Sequence, residues 1–148
     1  MARLHAYLNF EGNCEEAFQF YTEVFNAKTL NVTRFGDMPA DPNYPVADED
    51  KNKIMNTCIM INEDTMLLGS DCLESFNQKV NFGNSTYVML DTASADEAKD
   101  LYAKLSADSK LMEMELGETF WAEQFASFQD KFGIFWMINF EGSKKMEF

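Results

Sequence analysis

The feature that most constrains this chain is a helix written twice. The stretch EEAFQFYTEVF, Glu15 to Phe25, is echoed by DEAKDLYAKLS, Asp96 to Ser106, which lies 81 positions further on. Ala17, Phe20, Tyr21 and Val24 match Ala98, Leu101, Tyr102 and Leu105. In both copies the apolar residues recur at i, i+3, i+4 and i+7, a single stripe to be buried on one side of a helix. Each copy also opens on the spacing of a capping box, Asn13 with Glu16 and Ser94 with Glu97.

Strand-like stretches surround each copy in the same order. Before the first helix, RLHAYLNF alternates, with Leu4, Ala6, Leu8 and Phe10 on the face that should lie under the helix. Arg3, His5, Tyr7 and Asn9 fall on the other face, which is too polar for a second core and is read as a cavity lining. KTLNVTRFG, KIMNTCIMIN and TMLLGSD follow as three further strands, the last two joined by a turn at Asn62, Glu63 and Asp64. The second copy repeats the plan with STYVMLD before it and LMEMEL, ETFWAEQFASFQD and GIFWMINF after it. The proline-bearing acidic segment DMPADPNYPVADEDKN is too polar and broken for an element, and FNQKVNFGNS reads as the link between halves.

These patterns predict one α+β domain over 1–148, built of two βαβββ modules at about 3–75 and 84–141. A module of about 70 residues with one helix cannot cover both faces of its sheet. Two modules forming a cupped mixed sheet, helices outside and a cavity within, resolve that problem.

Bulk composition narrows the partners. The chain is 46% hydrophobic and 14% aromatic, ample for a core and unlike a disordered segment. A net charge of −13 repels phosphate backbones and anionic lipid, so neither nucleic acid nor membrane is an expected partner. Cys14, Cys58 and Cys72 lack paired-ligand spacing and no export signal opens the chain, so reduced, structural thiols in a cytoplasmic protein are expected. Cys72, beside Asp71 at a strand end, is the one to test for reactivity.

Three motifs resemble a known family: YLNFEGNCEEAFQFYTEVF, GSD at 69–71, and ETFWAEQFASFQDKFGIFWMIN from Glu118 to Asn139. They are similar to the PhnB-like branch of the vicinal oxygen chelate superfamily, which includes glyoxalases, bleomycin resistance proteins and dihydroxybiphenyl dioxygenases. The resemblance implies the duplicated cupped fold, a homodimer, and in the superfamily's enzymes a divalent metal held by His, Glu or Gln. Carried over residue by residue, the ligand set is thin. The first-strand ligand falls on His5 or Tyr7, its counterpart on Ser85 or Thr86, the last-strand carboxylate on Met137, and a further branch position on Asn56. His5 is the sole histidine and the only clear metal candidate, with Asp71 and Glu113 as conceivable helpers. No metal site and no cofactor are therefore expected. The branch is also labelled a demethylubiquinone methyltransferase, but no Gly-rich turn for a methyl-donor nucleotide follows the first strand.

The expected ligand pocket comprises His5, Tyr7, Asn9, Asn56, Asp71, Trp121, Phe135 and Met137. His5 could serve as general base or as a hydrogen-bonded structural residue. Trp121 lies in a loop-like stretch suited to a pocket wall, whereas Phe125 and Phe128 are expected in the core. Trp136 should bury against the second helix, and Gly133 should take a positive φ in the DKFG turn. The favoured function is a metal-free small-molecule-binding protein for an apolar or aromatic ligand. The alternative is a metal-dependent enzyme of lyase, isomerase or dioxygenase type using His5 and carboxylates. A filled cavity, with action through the surface alone, is the third reading.

Overall fold

The computed structural model describes residues 1–144. The chain divides into two compact units, Met1–Asn81 and the segment from Phe82 onward. In the first unit β1 (Ala6–Phe10), α1 (Cys14–Phe25), β2 (Lys28–Arg34), β3 (Ile54–Met60) and β4 (Met66–Asp71) follow in order. The second unit has β5 (Val88–Asp91), α2 (Ala95–Leu105), β6 (Leu111–Gly117), β7 (Gln124–Gln129) and β8 (Phe135–Phe140). Both units are βαβββ modules with one topology, sheet order β1-β4-β3-β2 and β5-β8-β7-β6. The outer strand preceding the helix runs parallel to the last strand, and the remaining pairs are antiparallel. The α+β class and the duplicated plan read from the sequence are those of the structure.

Module one buries its helix through Cys14, Ala17, Phe18, Tyr21 and Val24. The sheet meets it with Leu8, Phe10, Ile54, Ile59 and Leu67, all buried. Gly69 lies in this face for a steric reason: a Cβ there would collide with the Phe18 ring and come within 3.0 Å of the Leu8 carbonyl oxygen. The strand alternation begins only at Ala6, so Leu4, read as a buried residue, is almost fully exposed. Four-residue alternation holds only where a partner strand fixes the pleat, and β1 pairs with β4 from Ala6 onward.

In module two Trp136 and Ile138 of β8 are fully buried, and α2 packs against β8 and β7. Tyr102 meets Phe128 edge to face at 6.0 Å, so Phe128 is core and Trp136 is buried in the module that carries the second helix, as expected. The hairpin before β8 closes at Gly133, whose φ is +103°. Buried Asp130 organises that hairpin, accepting from the Phe132 and Ile134 amides and from Trp136 Nε1 at 2.8, 3.0 and 2.8 Å. Among the described residues no helix is long and apolar enough to cross a membrane.

Candidate functional site

Because each sheet carries its helix on one side, alternation leaves every module a helix-free face. In module one that face holds Tyr7 and Asn9 of β1, Ser70 of β4, Asn56 and Cys58 of β3, and Asn31 and Thr33 of β2. Its polar groups bond mainly to one another. The Tyr7 hydroxyl lies 3.5 Å from Asn56 Oδ1, and Ser70 Oγ donates to Asn9 Oδ1 at 3.3 Å. Tyr7, Asn9 and Asn56 are thus brought together on one face.

Asp71 is not with them. It is 3% exposed and belongs to the helix side, where Oδ1 accepts the Gly12 and Cys14 amides at 2.8 and 3.0 Å. Its other oxygen accepts the Ile54 amide at 2.9 Å. The expectation of a pocket residue is corrected: two buried amides and a part-buried one need an acceptor, and Asp71 supplies it. Asn13, read as the helix cap, makes no side-chain capping bond. The thiols follow the same logic. Burial, with the Asp71 and Glu15 carboxylates, pushes the Cys14 thiol far above its ordinary range. Burial and then Glu11 and Asp71 also push up Cys72, which favours the protonated thiol at the one cysteine singled out for reactivity.

His5 precedes β1. Its Nδ1 accepts the Met66 amide at 3.1 Å, and its buried Nε2 has no hydrogen-bond partner. The donors for a superfamily-type divalent metal do not fit. Among the described residues no three His, Cys, Asp or Glu side chains come together. Met137 offers a neutral thioether at the place where the resemblance calls for a carboxylate.

Module two is built differently. Asp91, Asn139 and Phe125 form one row across β5, β8 and β7, and Met89, Met137 and Ser127 form the next. Beyond them Phe135 stacks beside Tyr87, with ring centroids 5.2 Å apart. A cavity of about 540 Å³ opens on this face, lined by Met89, Asp91, Phe120, Trp121, Phe125, Asn139 and Glu141. Its aromatic wall is ordered by contact: Trp121 meets Phe120 at 4.9 Å and Phe125 at 5.2 Å, both edge to face. The loop carrying Trp121 is pinned by Thr119, whose Oγ1 accepts the Trp121 and Ala122 amides at 3.3 and 3.1 Å. Trp121 is therefore a pocket wall. Phe125, expected in the core, also lines the pocket, because residues 125, 127 and 129 take the opposite face from Phe128. Phe135 and Met137 share the face but are not among the residues lining this cavity.

Sequence reasoning missed Met89, Asp91, Phe120 and Glu141. The available signal was alternation: Asn139 faces the cavity, and its strand partners Asp91 and Phe125 must face it too. Glu113, considered from the sequence only as a helper to a metal, instead gathers two partners that sequence reasoning missed, Tyr87 and Ser127. The Glu113 carboxylate accepts the Tyr87 hydroxyl at 2.8 and 2.9 Å and the Ser127 hydroxyl at 2.8 Å. That carboxylate raises the Tyr87 pKa, because accepting the phenol proton favours the neutral form.

The repeated βαβββ module, with a helix on one side of each sheet, defines the fold class of the vicinal oxygen chelate proteins. A glyoxylase/bleomycin resistance protein/dioxygenase domain from Frankia sp. EAN1pec shares it at TM-score 0.66 and 12% identity, covering 97% of this chain and 93% of that one. The family model described as 3-demethylubiquinone-9 3-methyltransferase matches residues 2–139, and the chain belongs to that PhnB-like family. It is 32% identical over 139 residues to Protein YjdN of Escherichia coli (strain K12), covering 92% of this chain and 93% of that protein. Protein PA1353 from Pseudomonas aeruginosa is similar at TM-score 0.83 and 32% identity, over 95% of this chain and 98% of that one.

Proposed function

We propose that this protein binds a small organic molecule with an aromatic or apolar body on the helix-free face of module two, without a catalytic metal. The observation that carries the reading is the cavity of about 540 Å³ walled by Phe120, Trp121 and Phe125. Phe120 is 78% exposed, an unfavourable place for a large apolar side chain unless something covers it. A cavity of this size with aromatic walls and a few polar groups suits a ligand of modest size. Methyl transfer, the activity in the family's description, gains no support from the glycines. Gly12 is the single glycine between β1 and α1, and no two glycines lie closer than Gly133 and Gly142, nine positions apart, so no Gly-rich turn is formed.

The test uses the neutral fluorescent probe N-phenyl-1-naphthylamine. It is expected to raise the melting temperature and to quench Trp121 emission, in the presence or absence of a chelator, and Trp121→Ala should abolish binding while the fold persists. Stoichiometric metal in protein purified without chelator or affinity tag, lost in His5→Ala, would instead favour the metal-dependent enzyme. Association of two copies belongs to the same reading. It is supported by Leu30 and Val32 on edge strand β2 and Leu111 and Met114 on edge strand β6, each more than 40% exposed. Sedimentation of the purified protein checks it.

A further inference from the structure

The cavity of module two has a charge as well as a shape. Two of its seven lining residues, Asp91 and Glu141, are carboxylates, and none is basic. Five carboxylates elsewhere are paired with cations: Glu15 with Arg34, Asp48 with Lys51, Asp50 with Lys53, Asp100 with Lys104, and Glu118 with Lys144. Among the described residues Asp91 and Glu141 have no such cation. Lys144, three residues past Glu141, is already taken by Glu118 at 3.3 Å and by the Thr119 carbonyl at 2.7 Å. Asn139 Nδ2 donates to Asp91 Oδ1 at 3.3 Å, which orients that carboxylate without neutralising it.

The walls add to the same preference. The Trp121 ring stands nearly perpendicular to its neighbours, at 84° to Phe120 and 73° to Phe125. Rings turned in this way present π-faces in more than one direction, and an aromatic face attracts a cation through its quadrupole. Carboxylates at an apolar aromatic wall attract a positive charge more strongly than in open water, because the wall lowers the local dielectric. The groove of module one provides the contrast. Its lining includes Glu15 and Glu23 but only one aromatic ring, Phe18, and Glu15 is engaged by Arg34.

We propose that the ligand of the module-two cavity is an organic cation, an ammonium group on an apolar body, held over Trp121 and Phe120 and countered by Asp91 and Glu141. The inference rests on the binding reading above and goes beyond it by assigning the ligand's charge. The probes are benzyltrimethylammonium, its neutral carbon counterpart neopentylbenzene, and phenylacetate, each competing with N-phenyl-1-naphthylamine. The cation is expected to bind about tenfold more tightly than the neutral counterpart, and phenylacetate more weakly than either. The double variant Asp91→Asn with Glu141→Gln should erase that advantage, bringing the cation's affinity down to that of the neutral compound. A preference of about tenfold that survives in the double variant overturns the assignment of Asp91 and Glu141 as the counter-charges. Added salt should weaken the cation alone. Phe120→Ala, at an exposed site that leaves the fold intact, should also lower cation affinity. Equal affinity for cation and neutral counterpart in the unaltered protein overturns the charge assignment and leaves the cavity reading standing. Failure of N-phenyl-1-naphthylamine itself to bind overturns the cavity reading, and the charge assignment with it.

Discussion

In module one the first turn of α1 is tied to the sheet by Asp71, a carboxylate from the far end of β4 that reaches the Gly12 and Cys14 amides. In module two the first turn of α2 is closed by its own residues. Ser94 Oγ accepts the Glu97 amide at 3.1 Å, and Glu97 accepts the Ala93 amide at 3.0 Å in return. Both devices satisfy the orphan amides of a helix start. Asp71 couples helix to sheet, because the same side chain also holds Ile54 of β3. The capping box supports only its own helix.

The helix faces of the sheets diverge in step. Gly69, paired with Leu8 and Thr57, makes room for the Phe18 ring, whereas Ile138, paired with Leu90 and Ala126, fills the corresponding register place from the sheet side. At the helix position matching Phe18, module two has Lys99. The helix-free faces differ as well: module one offers amides and hydroxyls, and module two offers rings and carboxylates. A duplicated backbone has thus kept its topology while its two linings separated in chemistry.

The comparison can be broken most forcefully at Asp71. Asp71→Ala is expected to lower the unfolding free energy by about 4 kcal/mol, since each buried amide left without an acceptor costs ~1–3 kcal/mol. Urea denaturation measures it. Gly69→Ala should cost about 2 kcal/mol through overpacking against Phe18, and Phe18→Leu in the same chain should recover part of that loss. Ser94→Ala, the local cap of module two, should cost only about 1 kcal/mol. An equal loss at Ser94 and Asp71 would erase the distinction between local and tertiary anchoring.

The smallest effect sharpens the contrast between linings. Glu113 holds the Tyr87 phenol protonated, so its ionisation is expected above the ordinary tyrosine range. Glu113→Gln removes the charged acceptor and should move that ionisation to lower pH, followed by tyrosinate absorbance against a Tyr87→Phe control. No movement would mean that the Tyr87–Glu113 bond is absent in solution.

Much of the architecture was legible because it rests on local rules. The two helices, their stripes, the Ser94 box, the Gly133 turn and the alternation of β8 all follow from periodicity, capping and backbone sterics. Errors fell where an atom distant in sequence decided the outcome. Asn13 was the obvious cap by position, yet Asp71, 58 residues later, provides the acceptor. Phe125 is core, as its aromatic cluster suggested, but only the β7–β8 register shows that it also faces the cavity on the helix-free side.

By itself the sequence determined the elements, their order and their duplication, because propensity, capping and period act over a few residues. Only the tertiary structure decided which side chains share a site. That depends on strand register, where a slip of one residue sends every side chain to the opposite face. Asp71 thereby became an anchor rather than a ligand contact, and Asp91, Phe125 and Asn139 became neighbours in one cavity.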